Sequence, residues 1–237
     1  MLKPEPNPKL KRVEYELRAD GIPAGNPNRL RSGIHTRGFL PHVKREGASY
    51  FVTFRLADSL PREILLEFQQ KRAKRIRALE ATKKSQNPAS DIVELVERDY
   101  RREVERYLDQ GAGHCWLRQP EIAEMVANAL CHFDGERYEL RPWVVMPNHV
   151  HATVWPAPNH LLGDILHSWK RFTSREANKF LGRTGEDFWQ RESYDHWIRD
   201  DDEKARIERY IRNNPVKAGL CGEPEEWRWS SAWQEKS

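Results

Sequence analysis

The chain has 237 residues, of which 32% are charged and 38% hydrophobic, and its formal net charge is +4. This length is enough for one domain with a buried core and an elaboration. No apolar run approaches the roughly 18 residues of a membrane span, and Met1 leads into Lys and Pro rather than a signal peptide, so we expect a cytoplasmic protein. Three scattered cysteines without a C-x-x-C spacing argue against a disulfide framework or a zinc knuckle.

Residues 1–46 hold many of the prolines and basic residues but little apolar periodicity. This composition predicts an extended arm that wraps a partner. Its basic side chains that could contact an acidic partner such as nucleic acid are Lys9, Lys11, Arg12, Arg29 and Arg31. A solvated basic surface is the competing interpretation.

Residues 47–237 are predicted to form a single domain. It opens with YFVTFRL at 50–56, whose β-branched and aromatic residues predict a strand. Residues 62–110 predict two charged helices, broken near 85–88, because Ile64, Leu65 and Phe68 follow helical spacing. We interpret residues 62–118 as a helical hairpin inserted into a more compact domain.

The remaining elements follow in a regular order. Predicted are a helix at 121–131 with Pro120 at its first position, strands at 138–146 and 149–155, a helix at 161–181, an extended segment that begins at 188, and a helix from 200 to about 214 that Pro215 ends. This order predicts an α+β fold of the ferredoxin-like kind, in which helices pack on an antiparallel sheet, with the charged helical hairpin inserted.

Two histidines sit one residue apart at the start of the strand at 149–155. Side chains at i and i+2 of a strand project from the same face, so His149 and His151 are expected to point into one site. Two neutral imidazoles are suitable ligands for a divalent metal. A polar strand edge is the plainer alternative for this motif taken alone.

The last helix carries two further candidates, Tyr210 and Asn214. They are four residues apart and therefore lie on one helical face. If this face packs over His149 and His151, Asn214 supplies a third metal ligand and Tyr210 a nucleophile for a phosphodiester. An oxygen ligand with two imidazoles and open positions suits magnesium or manganese. Alone, Tyr210 could equally be a core tyrosine and Asn214 a helix C-terminal residue.

The combination resembles the REP-associated tyrosine transposases of the IS200-like, single-tyrosine HUH superfamily. The resemblance is carried in order by WVVMPNHVH at 143–151, FWQ at 188–190, YDH at 194–196, YIRNNPVKAGL at 210–220 and WRWSS at 227–231. It implies a ferredoxin-like fold that nicks single-stranded DNA beside a hairpin, with a divalent metal and a covalent phosphotyrosine intermediate. By this resemblance His149 and His151 are metal ligands and Tyr210 is the nucleophile. Asn214 stands where IS200-like relatives carry a Gln.

Two assignments stay open at this point. Tyr194 also lies in a motif near the site and competes with Tyr210 for the role of nucleophile, although only Tyr210 has a polar partner at i+4. His196 could orient a phosphate or assist proton transfer to the leaving oxygen, or it could be a structural histidine bonded to backbone.

Cationic grooves and aromatic side chains hold single-stranded DNA, and both are represented here. The basic candidates for DNA contact are Lys170, Arg171, Arg175, Arg191, Arg199 and Lys217. Trp227, Trp229 and Trp233 could stack on bases or pack beneath a terminal segment.

The sequence thus predicts a metal-dependent, nucleoid-associated DNA strand transferase. It would nick and rejoin single-stranded DNA beside palindromic hairpins through a 5′-phosphotyrosine, and a monomer is favoured over a dimer. A protein that binds palindromic repeats without cutting is the alternative. A third hypothesis is a phosphodiesterase that acts through water.

Overall fold

The computed structural model describes residues 33–36, 41–44, 47–81 and 89–235. Its strands are β1 (Gly33–Thr36), β2 (Pro41–Lys44), β3 (Tyr50–Arg55), β4 (Tyr138–Val145), β5 (His149–Pro156) and β6 (Tyr194–Trp197). Its α-helices are α1 (Arg62–Ala81), α2 (Ala89–Asp109), α3 (Pro120–Cys131), α4 (Leu162–Phe180) and α5 (Asp201–Lys217). Short 3-10 turns lie at Trp116–Arg118 and Pro224–Glu226.

The central sheet has four strands in the order β4-β5-β3-β6, and each neighbouring pair is antiparallel. Helix α3 lies in the chain between β3 and β4, and α4 lies between β5 and β6. This is the split-βαβ arrangement of the ferredoxin-like fold. The predicted fold class is therefore confirmed, with the helical hairpin α1–α2 placed between β3 and α3.

The two faces of the sheet differ in composition. One face carries Val52, Phe54, Val150 and Ala152, which form the larger apolar core with α3 and α4. Register pairs share a face, so Thr53 stands opposite His151 and Arg55 stands opposite His149 on the other side. That second face is covered by α5, and a smaller cluster that includes Phe51, Val144 and Ile211 packs between them.

The inserted hairpin has its own small apolar cluster, in which Leu60, Tyr100, Val104 and Leu108 are buried. Ion pairs also join its two helices, since Arg75 lies 3.7 Å from Asp99 and 3.8 Å from Glu103. The break predicted near 85–88 falls outside the described residues. Whether residues 62–118 form a separable insertion stays a prediction.

Two boundaries and one segment differ from those predicted. The extended segment that begins at Phe188 makes only an isolated bridge, between Trp189 and Leu56, and the sheet strand β6 starts later, at Tyr194. Helix α5 continues through Pro215 to Lys217, because a proline inside a helix removes only one backbone donor and the neighbouring bonds persist. Within the predicted arm, β1 and β2 pair as an antiparallel ribbon.

Trp227 and Trp229 near the C-terminus pack against the apolar clusters of the domain. The indole Nε1–H of Trp227 donates to the carbonyl of Val145 at 3.0 Å, and the Val145 N–H donates to the Trp229 carbonyl at 2.8 Å. This supports the interpretation of the cluster as packing beneath a terminal segment. None of the helices in the described part of the chain is long and apolar enough to cross a membrane.

Candidate active site

The two histidines of β5 lie side by side beneath α5. Their ring centroids are 4.6 Å apart, and both side chains are buried, with His151 at 0% exposure. Thr53 Oγ1 lies 2.7 Å from Nδ1 of His151, and Phe51 stacks on the same ring at 5.4 Å. Burial lowers the pKa of His149 to about 3 and holds the pKa of His151 well below its usual range, so both imidazoles are neutral at physiological pH.

Asn148 determines which nitrogen of His149 carries the proton. Its amide NH₂ donates to the carbonyls of Leu108 at 3.1 Å and Ala112 at 2.9 Å, which leaves its oxygen to face His149. Because an amide oxygen only accepts, the Nδ1–H of His149 donates to it at 2.7 Å. Nε2 then carries a lone pair that points into the site. Nε2 is buried and has no hydrogen-bond partner among the described residues.

The helix α5 brings Tyr210 directly onto the histidine pair. The Tyr210 hydroxyl lies 3.3 Å from Nε2 of His151, and the two rings are 5.3 Å apart. Burial raises the pKa of Tyr210 well above its usual value, and the nearby carboxylates of Glu105 and Asp109 raise it further, against an opposing effect of Asn214. The phenol is therefore protonated at neutral pH and must lose its proton before or during any attack.

Asn214 is fully buried one turn after Tyr210, with 0% exposure. Neither its Oδ1 nor its Nδ2 has a hydrogen-bond partner among the described residues, which is costly for a buried amide. Together with Nε2 of His149, these unpaired atoms lie near Tyr210, and the amide oxygen and the imidazole nitrogen can coordinate a metal. A site of two imidazoles and an amide oxygen fits a divalent metal. In the described residues no three His, Cys, Asp or Glu side chains cluster as metal ligands.

The inserted hairpin also reaches this site. On α2, Arg101, Glu105 and Asp109 follow each other at intervals of four residues and face α5 and β6. Arg101 lies 5.1 Å from the ring centroid of Tyr194, and Asp109 Oδ2 lies 2.6 Å from Nζ of Lys217. Between them the Glu105 carboxyl lies next to the Tyr210 hydroxyl, and burial raises the pKa of Glu105.

Lys217 is a cation that lies close to Tyr210. Its Nζ lies 5.8 Å from the centroid of the Tyr210 ring while its side chain is 54% exposed. The positive charge lowers the pKa of both His149 and His151. Lys217 is thus the predicted DNA-binding residue that the structure brings into the site.

The ammonium group of Lys170 is bound within the protein. Its Nζ donates to the carbonyls of Gln190 at 2.6 Å and Arg191 at 2.9 Å, and to Ser193 Oγ at 3.3 Å. Burial lowers the pKa of Lys170 to about 8. This lysine fixes the segment before β6, and a direct DNA contact by it stays a prediction.

The structure shows the surroundings of His196 and Tyr194, whose roles the sequence left open. Nε2 of His196 lies 2.8 Å from Oε1 of Glu203 in the first turn of α5, which favours a structural role. Tyr194 packs edge-on against Phe51 at 6.2 Å, with Arg101 over its ring. It is Tyr210 whose hydroxyl lies within hydrogen-bonding distance of His151.

The other predicted DNA-contacting residues lie at the surface. Arg171, Arg175, Arg191 and Arg199 are exposed. Arg175 pairs with its neighbour Glu176 at 2.8 Å. The basic residues of the arm, Lys9 to Arg31, lie outside the described residues, and their proposed contacts stay predictions.

Sequence reasoning missed five residues that the structure brings to the site: Thr53, Arg55, Glu105, Asp109 and Asn148. A signal existed for Thr53 and Arg55, because they alternate with apolar residues in β3 and therefore share a face of the sheet. The two acidic residues carried no such signal. Their position depends on how the hairpin docks, which its charged periodicity does not reveal.

The chain is similar in sequence to known proteins over the segment that carries this site. Residues 117–214, which include both histidines, Tyr210 and Asn214, match the family model described as "Transposase IS200 like". The REP-associated tyrosine transposase of Escherichia coli (strain K12) is 27% identical over 110 residues, which cover 46% of this chain and 63% of that protein. The aligned region therefore spans less than two thirds of this relative's length.

Two solved structures are also similar. One is a REP-associated tyrosine transposase bound to a REP hairpin, with a TM-score of 0.43, 17% identity and coverage of 83% of this chain and 81% of that one. The other is a candidate transposase from Deinococcus radiodurans R1, with a TM-score of 0.30, 13% identity and coverage of 70% and 89%.

Over residues 117–214 the chain is thus similar to the IS200-like transposases. Among these proteins the chain is similar to the REP-associated tyrosine transposases, so the resemblance seen in the sequence motifs is confirmed.

Proposed function

We propose that the protein is a metal-dependent DNA strand transferase that nicks and rejoins single-stranded DNA beside palindromic hairpins. The observation that carries the proposal is the 3.3 Å approach of the Tyr210 hydroxyl to His151 Nε2, beside the unpaired His149 Nε2 and Asn214 Oδ1. A REP hairpin is the ligand of one similar structure, and hairpin DNA is the substrate proposed here.

In this proposal His149, His151 and Asn214 hold magnesium or manganese. When bound, the metal would polarise the scissile phosphate and neutralise developing charge. Because all three ligands and Tyr210 belong to one chain, the site supports action as a monomer.

Tyr210 is the proposed nucleophile. Its Oη forms a bond to phosphorus while the bond from phosphorus to the 3′-oxygen breaks. The departing 3′-oxygen takes up a proton from water, which leaves a 5′-phosphotyrosine and a free 3′-hydroxyl. The phenolic proton passes to the Glu105 carboxylate, which lies beside the hydroxyl and whose raised pKa suits a proton acceptor. Lys217 stabilises the negative charge that develops on the tyrosine oxygen and the phosphate. Rejoining is the reverse attack by a 3′-hydroxyl.

The test is a covalent adduct on a hairpin oligonucleotide labelled at its 3′ end, which stays with the 5′-phosphotyrosine. We expect the wild type to form the adduct with Mg²⁺ or Mn²⁺ and to lose it with EDTA. Tyr210→Phe should form none, while Tyr194→Phe, the matched control, should keep it.

Other outcomes point to the alternatives. Cleavage without an adduct that survives in Tyr210→Phe would indicate a phosphodiesterase that uses water. Tight binding without cleavage, across several hairpins, would indicate a binder of palindromic repeats. An adduct that depends on Tyr194 instead of Tyr210 would transfer the nucleophile role.

A further inference from the structure

Arg55 is a cationic residue inside the site for which the proposed chemistry gives no role. It is the last residue of β3 and stands directly opposite His149 in the register of β3 and β5. Paired residues project from the same face of a sheet with their Cβ atoms roughly 5 Å apart. The side chain of Arg55 therefore starts beside the buried histidine, on the face that α5 covers.

The guanidinium of Arg55 is only partly satisfied by the protein. Its Nε–H is buried without a hydrogen-bond partner in the part of the chain that the structure describes. Burial lowers the pKa of Arg55, while Tyr100 and the Glu192 carboxylate raise it. The ammonium of Lys170 and the ring of His149 are its other charged or titratable neighbours, and Arg55 lowers the pKa of both.

Such an arrangement is unfavourable for the free protein. Removing a charged group from water costs several kcal/mol unless hydrogen bonds and an opposite charge compensate for it. Here a second cation, Lys170, is fixed nearby by Gln190, Arg191 and Ser193. The two cations create a positive potential beside His149 for which Glu192 is the counter-charge on the protein side.

An anion at this position would supply what the guanidinium lacks. Arginine presents a planar fork of N–H donors that matches the oxygens of a phosphate, and it does so best where water is partly excluded. Under the proposed function, the strand that presents its scissile phosphate to Tyr210 has further backbone phosphates close by.

We propose that Arg55 is a phosphate-binding residue that holds a DNA backbone phosphate next to the one attacked by Tyr210. This inference rests on the proposed function, since it assigns part of the same DNA strand to a further group. It places the strand across the end of β3, between α5 and the segment 190–193 that Lys170 fixes.

The test separates DNA binding from folding and from chemistry. Binding of a hairpin oligonucleotide is measured in EDTA with Tyr210→Phe as the background, at several salt concentrations, and thermal unfolding is measured without DNA. The variants are Arg55→Met and Arg55→Lys, and Arg62→Met is the matched control because Arg62 is exposed at the start of α1.

We expect Arg55→Met to weaken binding about tenfold and to reduce the salt dependence by about one phosphate contact. Its midpoint of thermal unfolding should stay close to that of the background, because the lost attraction to Glu192 is offset by the relief of burying the guanidinium charge. Arg55→Lys should restore part of the affinity, and Arg62→Met should match the background in both measurements.

A lower unfolding midpoint for Arg55→Met, with an unchanged salt dependence, would overturn the inference and make Arg55 structural. The result is independent of cleavage. If the wild type forms no adduct but Arg55→Met still loses one phosphate contact, the proposed transferase activity fails and the phosphate site stands.

Discussion

The two faces of the central sheet are built on opposite principles. On the face under α3 and α4, the buried aromatic groups are paired: the Tyr138 hydroxyl donates to the Leu130 carbonyl at 2.8 Å, and the Trp169 indole donates to Tyr138 at 2.9 Å. Asn178 on α4 donates through its amide but has no partner for its Oδ1 among the described residues. On the face under α5, His149 Nε2, Arg55 Nε and both polar atoms of Asn214 are buried without partners in the described residues. The first face leaves few such atoms, whereas the second leaves several in one small site that a ligand would have to satisfy.

This difference has a physical meaning. A buried polar atom without a partner lowers stability by about 1–3 kcal/mol, so several of them in one small site are not expected from folding alone. Three of these atoms belong to the proposed metal ligands His149 and Asn214, and the fourth belongs to Arg55. The contrast can therefore be tested by substitutions on the two faces, which should affect stability and activity in opposite ways.

The largest effect is expected from a pair of Asn→Leu substitutions. Asn214→Leu should reduce metal-dependent adduct formation by at least about 100-fold. It should also raise the free energy of unfolding by about 1 kcal/mol, because two unpaired polar atoms are replaced by an apolar side chain of similar size. Adduct yield and urea unfolding measure the two effects.

Asn178, on α4, is the control on the other face, where its amide donates to the Glu186 carbonyl at 2.6 Å. Asn178→Leu should lower the free energy of unfolding by about 1 kcal/mol and leave adduct formation unchanged. If both variants are destabilised and both keep the adduct, the asymmetry between the faces is wrong.

A second effect is expected in the pH dependence of stability. The pKa of His149 is about 3 in the folded protein against 6.5 as its ordinary value, so between these values the unfolded chain binds a proton that the folded protein does not. The free energy of unfolding is therefore not reduced by this group above pH 6.5, and it decreases as the pH falls below that value. Between pH 7 and pH 5 the metal-free protein should lose about 2 kcal/mol of unfolding free energy from this group.

Urea unfolding in EDTA at the two pH values measures this loss. His149→Gln should show a smaller decrease than the wild type, and His132→Gln, at an exposed position of the same residue type, should keep the full decrease. Equal decreases in all three proteins would contradict the assignment of a buried, neutral His149.

A smaller effect is expected from the acidic residues of α2. Glu105→Gln keeps the size of the side chain but removes the proton acceptor beside Tyr210, so the single-turnover rate of adduct formation should fall about tenfold at saturating DNA. The half-saturating DNA concentration should not rise, since a carboxylate near a phosphate opposes binding. Glu103→Gln is the control, because Glu103 faces Arg75 on α1. Equal rates for the two variants would remove Glu105 from the chemistry.

The sequence was sufficient to predict the architecture and the centre of the site. Periodicity located β3, α3, β4, β5 and α4 to within one or two residues. The i, i+2 spacing in β5 and the i, i+4 spacing in α5 each placed two side chains on one face, and the structure brings those faces together. These are short-range regularities, so a single segment carries the whole signal.

The remainder depends on long-range contacts. Arg55 meets His149 only through the register of β3 and β5, and Glu105 meets Tyr210 only through the docking of the hairpin. The predicted end of α5 was wrong because Pro215 was taken as the end of the helix. The carbonyl of Asn214 still accepts a hydrogen bond from the N–H of Ala218 at 3.0 Å. No local pattern carries such information.

Asn148 gives the site a property of its own. Reversing its amide would break its bonds to Leu108, Ala112 and His149 together, so the imidazole of His149 is locked in one tautomer with an available lone pair at Nε2. Since that imidazole is already neutral near pH 7, ligation through it should release no proton to the solvent. Calorimetric heats of metal binding should then show no contribution from His149 that depends on the ionisation enthalpy of the buffer, and the affinity should stay nearly constant across the physiological pH range.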